Sequence, residues 1–560
     1  MSSTHENTVL SAIGTRTILN LICKLLFRFL HFFLNALILR QIDGNILGIA
    51  NVRLQLLYTT ILFLSREAFR RTVPKLNNIR SIQHYINLVW AVLPAGLLII
   101  SIWLPLTLFF RTDNAEKYPY YYQACFYYAL AAFIELLSEP LYLLATVTLN
   151  YHVNIYIEMF ASTLGFTIQA YLVYANPQSA LYYYGIGYII YTSLITSSYY
   201  LFFLTRSGTD RKRLFLIKSL KYLMIKPISP YVDPRVSSET KTFFKQGVWM
   251  KILTEGERYI MSLFNLVSYK DQGIFDIINN LGSLLPRLIF STLEESAYSY
   301  FQQTLSRTKT TNDQHLQDDQ MLIHPRKDEQ SNEPSPPSST EQQTIKQNAF
   351  TFYNYLLRCV IIISFIVIIF GIPYSRFFLN LYGGSTLTDG PGPSLLRLYC
   401  IYILFLAING ITEAFSQATM SIEELETYKN RIAIFAMIYL SAFYFLIQLF
   451  GIHGIIIANC LNMSARIITN SFHIYRYFHG NQWLKPIQFS SYYLLFLCFT
   501  SFICYYSERW FNSPFLHFSF GSVFGLGVLL VTWKEEREMI HYINCIIRLN
   551  REKKTVRQTE

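Results

Sequence analysis

Charged and amide side chains recur at helical spacing inside the apolar stretches of this 560-residue sequence. Two sets share the spacing i, i+4, i+7 and i+11: one is Lys24, Arg28, His31 and Asn35, and the other is Lys251, Glu255, Arg258 and Ser262. This spacing places each set on one face of a helix. Because guanidinium and ammonium groups bind phosphate oxygens, such faces suit a phosphate-bearing molecule.

Further polar sets follow in the same order in both halves of the sequence. Asn51, Gln55, Tyr58 and Leu62 match Asp276, Asn280, Ser283 and Arg287 in spacing, and Glu135, Glu139 and Tyr142 match Asn409, Glu413 and Ser416. Gly48 and Gly273 precede the first two of these sets. Any two amphipathic helices share a period, but the shared order favours an internal repeat. An even number of predicted spans separates the partners, so we expect both halves to insert in the same orientation.

The composition indicates the elements that carry these residues. The chain is 52% hydrophobic and only 15% charged, whereas soluble domains have about 25% charged residues. Apolar runs such as 88–110 and 356–371 are long enough to cross a bilayer, which takes about 20 residues of helix. The runs do not alternate, which argues against strands. We predict an all-α membrane protein with about 14 transmembrane helices, in two pseudo-symmetric six-helix lobes plus two C-terminal helices.

Charge and composition divide the chain further. We predict an N-terminal lobe over 1–205, a basic cytosolic connector over 206–239, a second lobe over 240–480 with a disordered cytosolic loop at 302–348, two extra helices over 481–533 and a basic tail over 534–560. The basic loops all fall on one side, which the positive-inside rule makes cytosolic together with both termini. The orientation in the membrane and contact with the lipid bilayer therefore explain the net charge of +12, and no nucleic-acid partner is needed to explain it.

Seven ionised groups inside predicted spans indicate a polar cavity between the two halves. Each charge costs about 2.5–3.5 kcal/mol at mid-bilayer, so the set should face protein or water: Lys24, Arg28, Lys251, Glu255, Arg258, Asp276 and Arg287. Single residues of this kind can also have purely structural roles. Arg66, Lys270 and Glu295 lie near span ends and can reach the interface, Lys251 with Glu255 can stabilise only its own helix, and Glu139 and Glu413 can serve buried networks.

Amide and hydroxyl side chains accompany these charges, whereas the sequence contains no cysteine pattern typical of a metal site. Asn51, Gln55, Tyr58, Asn279 and Asn280 are groups of the kind that hold sugar hydroxyls. The eight cysteines form no CxxC pair, so we expect neither a zinc site nor a disulfide framework. The sequence has no GxxxxGK[ST], HExxH or GxSxG motif. We therefore predict a transporter without cofactor or metal, not an enzyme.

Long strings of the sequence closely resemble the Rft family, the oligosaccharide translocation proteins of the eukaryotic endoplasmic reticulum. They are NVRLQLLYTTILFLSREAFRR (51–71), KILTEGERYIM (251–261), DQGIFDIINNLGSLLPRLIFSTLEESAYSYF (271–301), LLRLYCIYILFLAINGITEAF (395–415) and IIIANCLNMSARIITNS (455–471). The resemblance implies the multidrug/oligosaccharidyl-lipid/polysaccharide exporter fold. It also implies a role in N-glycosylation, in which dolichyl-diphosphate-linked oligosaccharide moves from the cytosolic to the lumenal leaflet.

By analogy with the bacterial lipid flippases of that fold, the resemblance implies diphosphate-binding cations at Arg28, Arg66, Arg258 and Arg287. We expect Lys24 and Lys251 to join them, and Glu255, Glu257 and Asp276 to hold these cations when the site is empty. Three other functions stay open at this point. They are a non-transporting partner of the glycosylation machinery, an intramembrane glycosyltransferase, which the lack of a DxD pair disfavours, and a cation-coupled drug exporter using Glu135, Glu139 and Glu413.

Overall fold

The structure is a computed structural model that describes residues 29–72, 87–109, 118–147, 151–206, 234–264, 266–318, 339–478, 486–511 and 513–542. Lys24 and Arg28, two of the predicted diphosphate-binding cations, lie outside these residues. Throughout the described residues the regular structure is helical and contains no strand, as the sequence predicts.

The helices of the first half run from α1 to α8. They are α1 (Phe29–Leu39), α2 (Gly44–Thr72), α3 (Val92–Phe109), α4 (Tyr121–Leu136), α5 (Glu139–Val147), α6 (Tyr151–Ala175), α7 (Ala180–Arg206) and α8 (Pro234–Phe264). Within α2 the segment Ile49–Leu54 is a π-helix. Such segments displace the helical face by part of a turn and are frequent at functional sites.

The second half continues from α9 to α16. The helices are α9 (Tyr269–Gly282), α10 (Ser291–Asp318), α11 (Ser339–Gly383), α12 (Gly392–Thr419), α13 (Ile422–Phe450), α14 (His453–Phe478), α15 (Ser491–Trp510) and α16 (Pro514–Glu535). A second π-helical segment, Pro286–Phe290, leads from α9 into α10. A one-turn helix, Ser385–Thr388, precedes α12.

Length and apolar composition mark out the membrane-spanning helices. Seven helices of the described residues are individually long and apolar enough to cross a bilayer, and the bent pair α4–α5 makes up to eight. Large apolar side chains on α15 and α16, such as Leu495 and Leu529, are exposed to the surroundings, as expected of a surface that faces lipid. The chain is therefore a multi-pass membrane protein, while the count of 14 helices in two lobes stays a prediction.

Local sequence signals explain where α13 begins and ends. Ser421 and Glu424 form a reciprocal capping box, in which the Ser421 hydroxyl accepts the Glu424 amide at 3.2 Å and the Glu424 carboxylate accepts the Ser421 amide at 2.9 Å. Gly451 follows the helix with φ of 57°, a conformation that glycine adopts without strain. The turn at Gly451 leads directly into α14, which packs along α13.

The packing divides the chain into two compact units. The first comprises residues up to Asp276 together with Asn380–Gly390, and the second comprises Ile277–Leu379 and the residues from Pro391 onward. In the first unit α2 packs against α3, α4 and α8, and α7 packs against α4 and α6. In the second unit α12 packs against α10 and α14, and α15 packs against α16.

Inside the first unit, α2 and α9 touch backbone to backbone at the two glycines that the predicted repeat relates. A Cβ on Gly48 would collide with the carbonyl oxygen of Tyr269, and a Cβ on Gly273 would lie 2.6 Å from the Gly48 nitrogen. Only glycine permits this approach of two helices. The contact fixes the position of the π-helical segment that begins one residue later.

Two predicted boundaries can be compared with the described helices. Helix α10 runs to Asp318 and α11 begins at Ser339, so helix occupies both ends of the segment 302–348 that the sequence predicts to be disordered; residues 319–338 lie outside the described part. Helix-favouring residues such as Gln342 and Gln343 explain the early start of α11. The compact units divide at Asp276, and α8 packs along α2; the predicted boundary between the lobes at residue 240 stays a prediction.

Candidate functional site

A break in the fourth predicted span brings two glutamates to the same place. Helices α4 and α5 meet at an angle of 42°, and Pro140 explains the break because it lacks an amide hydrogen and crowds the preceding turn. Ser138 stabilises the bend by donating its hydroxyl to the Glu135 carbonyl at 2.7 Å. Glu135 lies in the last turn of α4 and Glu139 begins α5, and both are buried.

Two arginines of α2 pair with these two glutamates, one turn apart on each helix. Arg66 lies 2.5 Å from Glu135 and 3.8 Å from Glu139. Arg70 binds Glu139 with two nitrogens, at 2.5 and 2.8 Å, and its guanidinium lies 3.8 Å from the centre of the Tyr142 ring. We call these four residues the α2–α5 ladder. Its two cations and two anions balance, which makes the charges tolerable inside a membrane protein.

A second balanced cluster lies on α8 and α9. Glu255 sits between Lys251 at 3.6 Å and Arg258 at 3.3 Å, and Arg258 reaches Asp276 at 3.2 Å. Lys251 also contacts α2, through the Thr59 hydroxyl at 3.4 Å. We call Lys251, Glu255, Arg258 and Asp276 the α8–α9 cluster. The side chains of Arg258 and Glu255 are 28% and 23% exposed, so a ligand could reach them, whereas Lys251 and Asp276 are buried.

The remaining predicted site residues within the described part are Glu257, Asn279, Asn280, Arg287 and Glu413. Glu257 is half-buried on α8. In the second unit, Asn279 accepts a hydrogen bond from the Tyr399 hydroxyl at 3.0 Å, while Asn280 and Arg287 are exposed. Glu413 accepts hydrogen bonds from the side chains of Asn409 and Gln417 and lies 3.6 Å from Arg466.

The contacts of two arginines of the first unit, Arg53 and Arg70, were not predicted from the sequence. Arg53 is only 2% exposed, and it donates to the Tyr269 hydroxyl at 2.8 Å and to the Thr107 carbonyl at 2.9 Å. In the sequence, Arg70 belongs to a basic loop and contributes only to the predicted orientation in the membrane. The spacing of Arg66 and Arg70, which matches that of Glu135 and Glu139, was the available signal for the α2–α5 ladder.

A cavity of about 260 Å³ opens within the first unit beside the α2–α5 ladder. It lies among α1, α2, α6 and α7, and Asn51, Gln55 and Tyr58 of α2 all line it. Tyr58 connects the two features, because its hydroxyl donates to the Glu135 carboxylate. No group of three or more His, Cys, Asp or Glu side chains suited to a metal ion occurs in the described part of the chain.

The helical fold is similar to the folds of two solved membrane proteins. The lipid II flippase MurJ in an inward closed conformation matches with a TM-score of 0.58 and 12% identity, over 93% of this chain and 100% of that protein. An inward-facing multidrug resistance MATE family transporter of the MOP superfamily matches with a TM-score of 0.50 and 10% identity, over 79% of this chain and 94% of its own. At these identities the likeness shows the fold.

The chain belongs to the Rft protein family, whose model matches residues 15–545. Relatives called Man(5)GlcNAc(2)-PP-dolichol translocation protein RFT1 are 35% identical in Xenopus tropicalis, over 82% of both chains, and 34% identical in Mus musculus, over 93% of this chain and 94% of the relative. The Saccharomyces cerevisiae relative of the same name is 26% identical over 80% of this chain and 81% of its own. The predicted family resemblance is thereby confirmed.

Proposed function

We propose that this protein translocates dolichyl-diphosphate-linked oligosaccharide from the cytosolic to the lumenal leaflet of the endoplasmic reticulum for N-glycosylation. The names of its relatives and the MurJ-like fold support a transporter of lipid-linked sugar. The observation that carries the proposal is the α8–α9 cluster. Its cations lie within a membrane protein and are held by carboxylates that another anion can replace.

The α8–α9 cluster suits a diphosphate because Arg258, its central cation, is partly exposed and can exchange its carboxylate partners for phosphate. Arg258 presents a planar fork that binds two phosphate oxygens at once. Its present partners, Glu255 and Asp276, are carboxylates at 3.3 and 3.2 Å. A bound diphosphate takes their place on the guanidinium, and the carboxylates return to it after release. Glu255 and Asp276 thus keep the cation compensated in the empty protein, which avoids the cost of an unpaired charge in the membrane.

Alternating access completes the proposed mechanism. The dolichol chain stays in the bilayer, and the site around Arg258 opens first to the cytosolic leaflet and then to the lumenal one. Lys24, Arg28, Arg66, Lys251 and Arg287 are proposed to contribute to the cationic path, with Asn279 and Asn280 available to sugar hydroxyls. Glu257, Glu139 and Glu413 are proposed to balance charge. Neither a cofactor nor a metal enters this cycle, and both termini stay in the cytosol.

The proposal is tested with purified protein in sealed vesicles that contain a dolichyl-diphosphate-linked oligosaccharide. Translocation is followed by the arrival of glycan on the side that an added lectin can reach. Arg258→Lys keeps the positive charge but replaces the planar guanidinium, which can bind two phosphate oxygens, by an ammonium group. We expect it to slow translocation about 10- to 100-fold, because hydrogen bonds to charged groups contribute about 1.5–3 kcal/mol. Arg431→Met, at an exposed position of α13, is the matched control and should translocate at the native rate.

The same experiment separates translocation from a supporting role in the pathway. If vesicles that contain the native protein translocate the glycolipid no faster than protein-free vesicles, the proposed translocation is refuted. If it nevertheless restores glycosylation in cells that lack their own family member, the protein is a non-transporting partner of the pathway. A native rate for Arg258→Lys refutes the diphosphate role of the α8–α9 cluster but leaves translocation intact.

A further inference from the structure

The cavity of the first unit has a chemistry different from that of either charged group. Its volume of about 260 Å³ would hold roughly nine water molecules. This volume is slightly smaller than that of the smallest typical small-molecule sites, which is about 300 Å³. The space therefore suits one sugar ring and is too small for a whole oligosaccharide. It is formed by four helices of one compact unit, α1, α2, α6 and α7.

Four side-chain amides converge on this cavity from three helices. They are Asn35 of α1, Asn51 and Gln55 of α2, and Gln169 of α6. Asn35 donates to the Tyr382 hydroxyl at 3.1 Å, and Gln55 accepts from Tyr188. The amides of Asn51 and Gln169 make no hydrogen bond to any described residue, so their donors and acceptors remain available to a ligand.

Gln169 is the strongest sign that the cavity is built to hold a polar molecule. The residue is only 5% exposed, and its side chain lines the cavity. Gly187 of α7 makes room for it, since a Cβ there would lie 2.5 Å from the Gln169 Cγ. At the same cavity, the buried Nε2 of His31 also lacks a hydrogen-bond partner among the described residues. A bound molecule rich in hydroxyl groups would satisfy these atoms.

Tyrosines supply the remaining wall. Tyr58, Tyr184, Tyr188 and Tyr191 line the cavity, and the rings of Tyr58 and Tyr188 meet edge to face with centroids 5.0 Å apart. Tyrosine presents both an apolar face and a hydroxyl, which match the C–H face and the hydroxyl edge of a sugar. The described residues that line this cavity include no Lys, Arg, Asp or Glu.

We propose that this cavity binds one neutral sugar residue of the glycan carried by the lipid. Asn51 and Gln169 hydrogen-bond its hydroxyls, and the tyrosines pack against its ring. The assignment rests on the proposed function for the identity of the glycan, but binding of sugar by the cavity is measurable without translocation. Tyr58 lies between the sugar and the α2–α5 ladder, because its hydroxyl reaches Glu135.

The test measures binding of a water-soluble mannose-containing oligosaccharide, which lacks diphosphate and dolichol, to the full-length protein in lipid nanodiscs. Saturation-transfer NMR detects weak binding at millimolar glycan. Asn51→Leu and Gln169→Leu each remove one amide, and we expect each to weaken binding about 2- to 10-fold, the range of one net hydrogen bond. Gln448→Leu, at an exposed position of α13, makes the same chemical change away from the cavity and should bind like the native protein.

A third variant guards against misfolding of the amide variants. Ser162 lines the cavity and bonds only to a carbonyl of its own helix, that of Met159 at 3.1 Å. Ser162→Phe should fill the space and abolish glycan binding while the thermal transition of the protein persists. Native-like glycan binding by Ser162→Phe, or by both amide variants, overturns the proposal, and so does failure of the native protein to bind.

The outcome for the cavity is distinguishable from that for translocation. Glycan binding that these variants remove supports the sugar site even if vesicles show no transport by the native protein. Transport by the native protein without glycan binding refutes the sugar site and leaves translocation standing.

Discussion

The pair formed by Arg70 and Glu139 allows a quantitative test of the α2–α5 ladder. The Glu139 side chain is 1% exposed and that of Arg70 25% exposed, and two nitrogens of Arg70 bind the carboxylate at 2.5 and 2.8 Å. Glu139→Gln keeps the shape and removes the charge, which leaves Arg70 without compensation. Breaking a buried pair from one side costs about 3–5 kcal/mol.

The partial exposure of Arg70 lowers this figure. Its guanidinium can recruit water or lipid phosphate and keeps its contact with the Tyr142 ring, so we expect Glu139→Gln to lower the free energy of unfolding by about 2–3 kcal/mol. Combining it with Arg70→Met removes both charges and should lower the free energy by only about 1 kcal/mol, because no lone ion remains. The coupling between the two sites is then about 2 kcal/mol or more once the cost of Arg70→Met alone is included.

The assay is a double-mutant cycle, with unfolding in mixed micelles titrated by sodium dodecyl sulfate and followed by helical circular dichroism. Glu426→Gln, at an exposed position in the first turns of α13, is the matched control and should stay within about 0.5 kcal/mol of the native protein. If the effects of Glu139→Gln and Arg70→Met add within about 0.5 kcal/mol, the two residues are energetically independent. The ladder then has no structural role.

Two further stability predictions follow from local geometry and use the same titration. Gly48→Ala should lower the free energy of unfolding by about 1–3 kcal/mol, because its Cβ meets the Tyr269 carbonyl; Gly247→Ala in α8, whose Cβ has open space except for Phe63 at 3.6 Å, should raise it by about 0.5–1 kcal/mol, and equal effects would contradict the backbone contact. Ser421→Ala should lower the free energy of unfolding by about 1 kcal/mol, because it removes the N-cap of α13. Ser421→Asp should retain most of the stabilisation, because aspartate also caps helices. An unchanged free energy of unfolding for Ser421→Ala would show that the capping box is dispensable.

The sequence predicts well those features that depend on one helix at a time. The spacing of Asn51, Gln55 and Tyr58 predicts a shared face, and all three line one cavity, although Asn51 lies in the π-helical segment. The pairing of Lys251 with Glu255 likewise follows from their separation within α8. A helix face can be predicted in this way because the helical period itself determines it.

Features that depend on which helices are neighbours could not be predicted from periodicity. Glu135 belongs to a spaced polar set and Arg66 lies near the end of a predicted span, but neither observation states that α2 faces the break between α4 and α5. Gln169 belongs to α6, which has no ionised stripe pointing to its role. The long Rft-like strings predicted the family, since an extended match carries information that single spacings lack.

The two charged groups and the cavity of the first unit share a physical logic. An unpaired cation inside the membrane is costly, so Arg66, Arg70 and Arg258 are each held by a carboxylate within 3.5 Å. A phosphate must therefore compete with a carboxylate, and its net gain is the difference between two similar interactions. Such a difference gives binding that is weak enough for release. Under the proposed function, selectivity for the glycolipid would then come from its neutral part, which matches the uncharged amides and tyrosines that line the cavity.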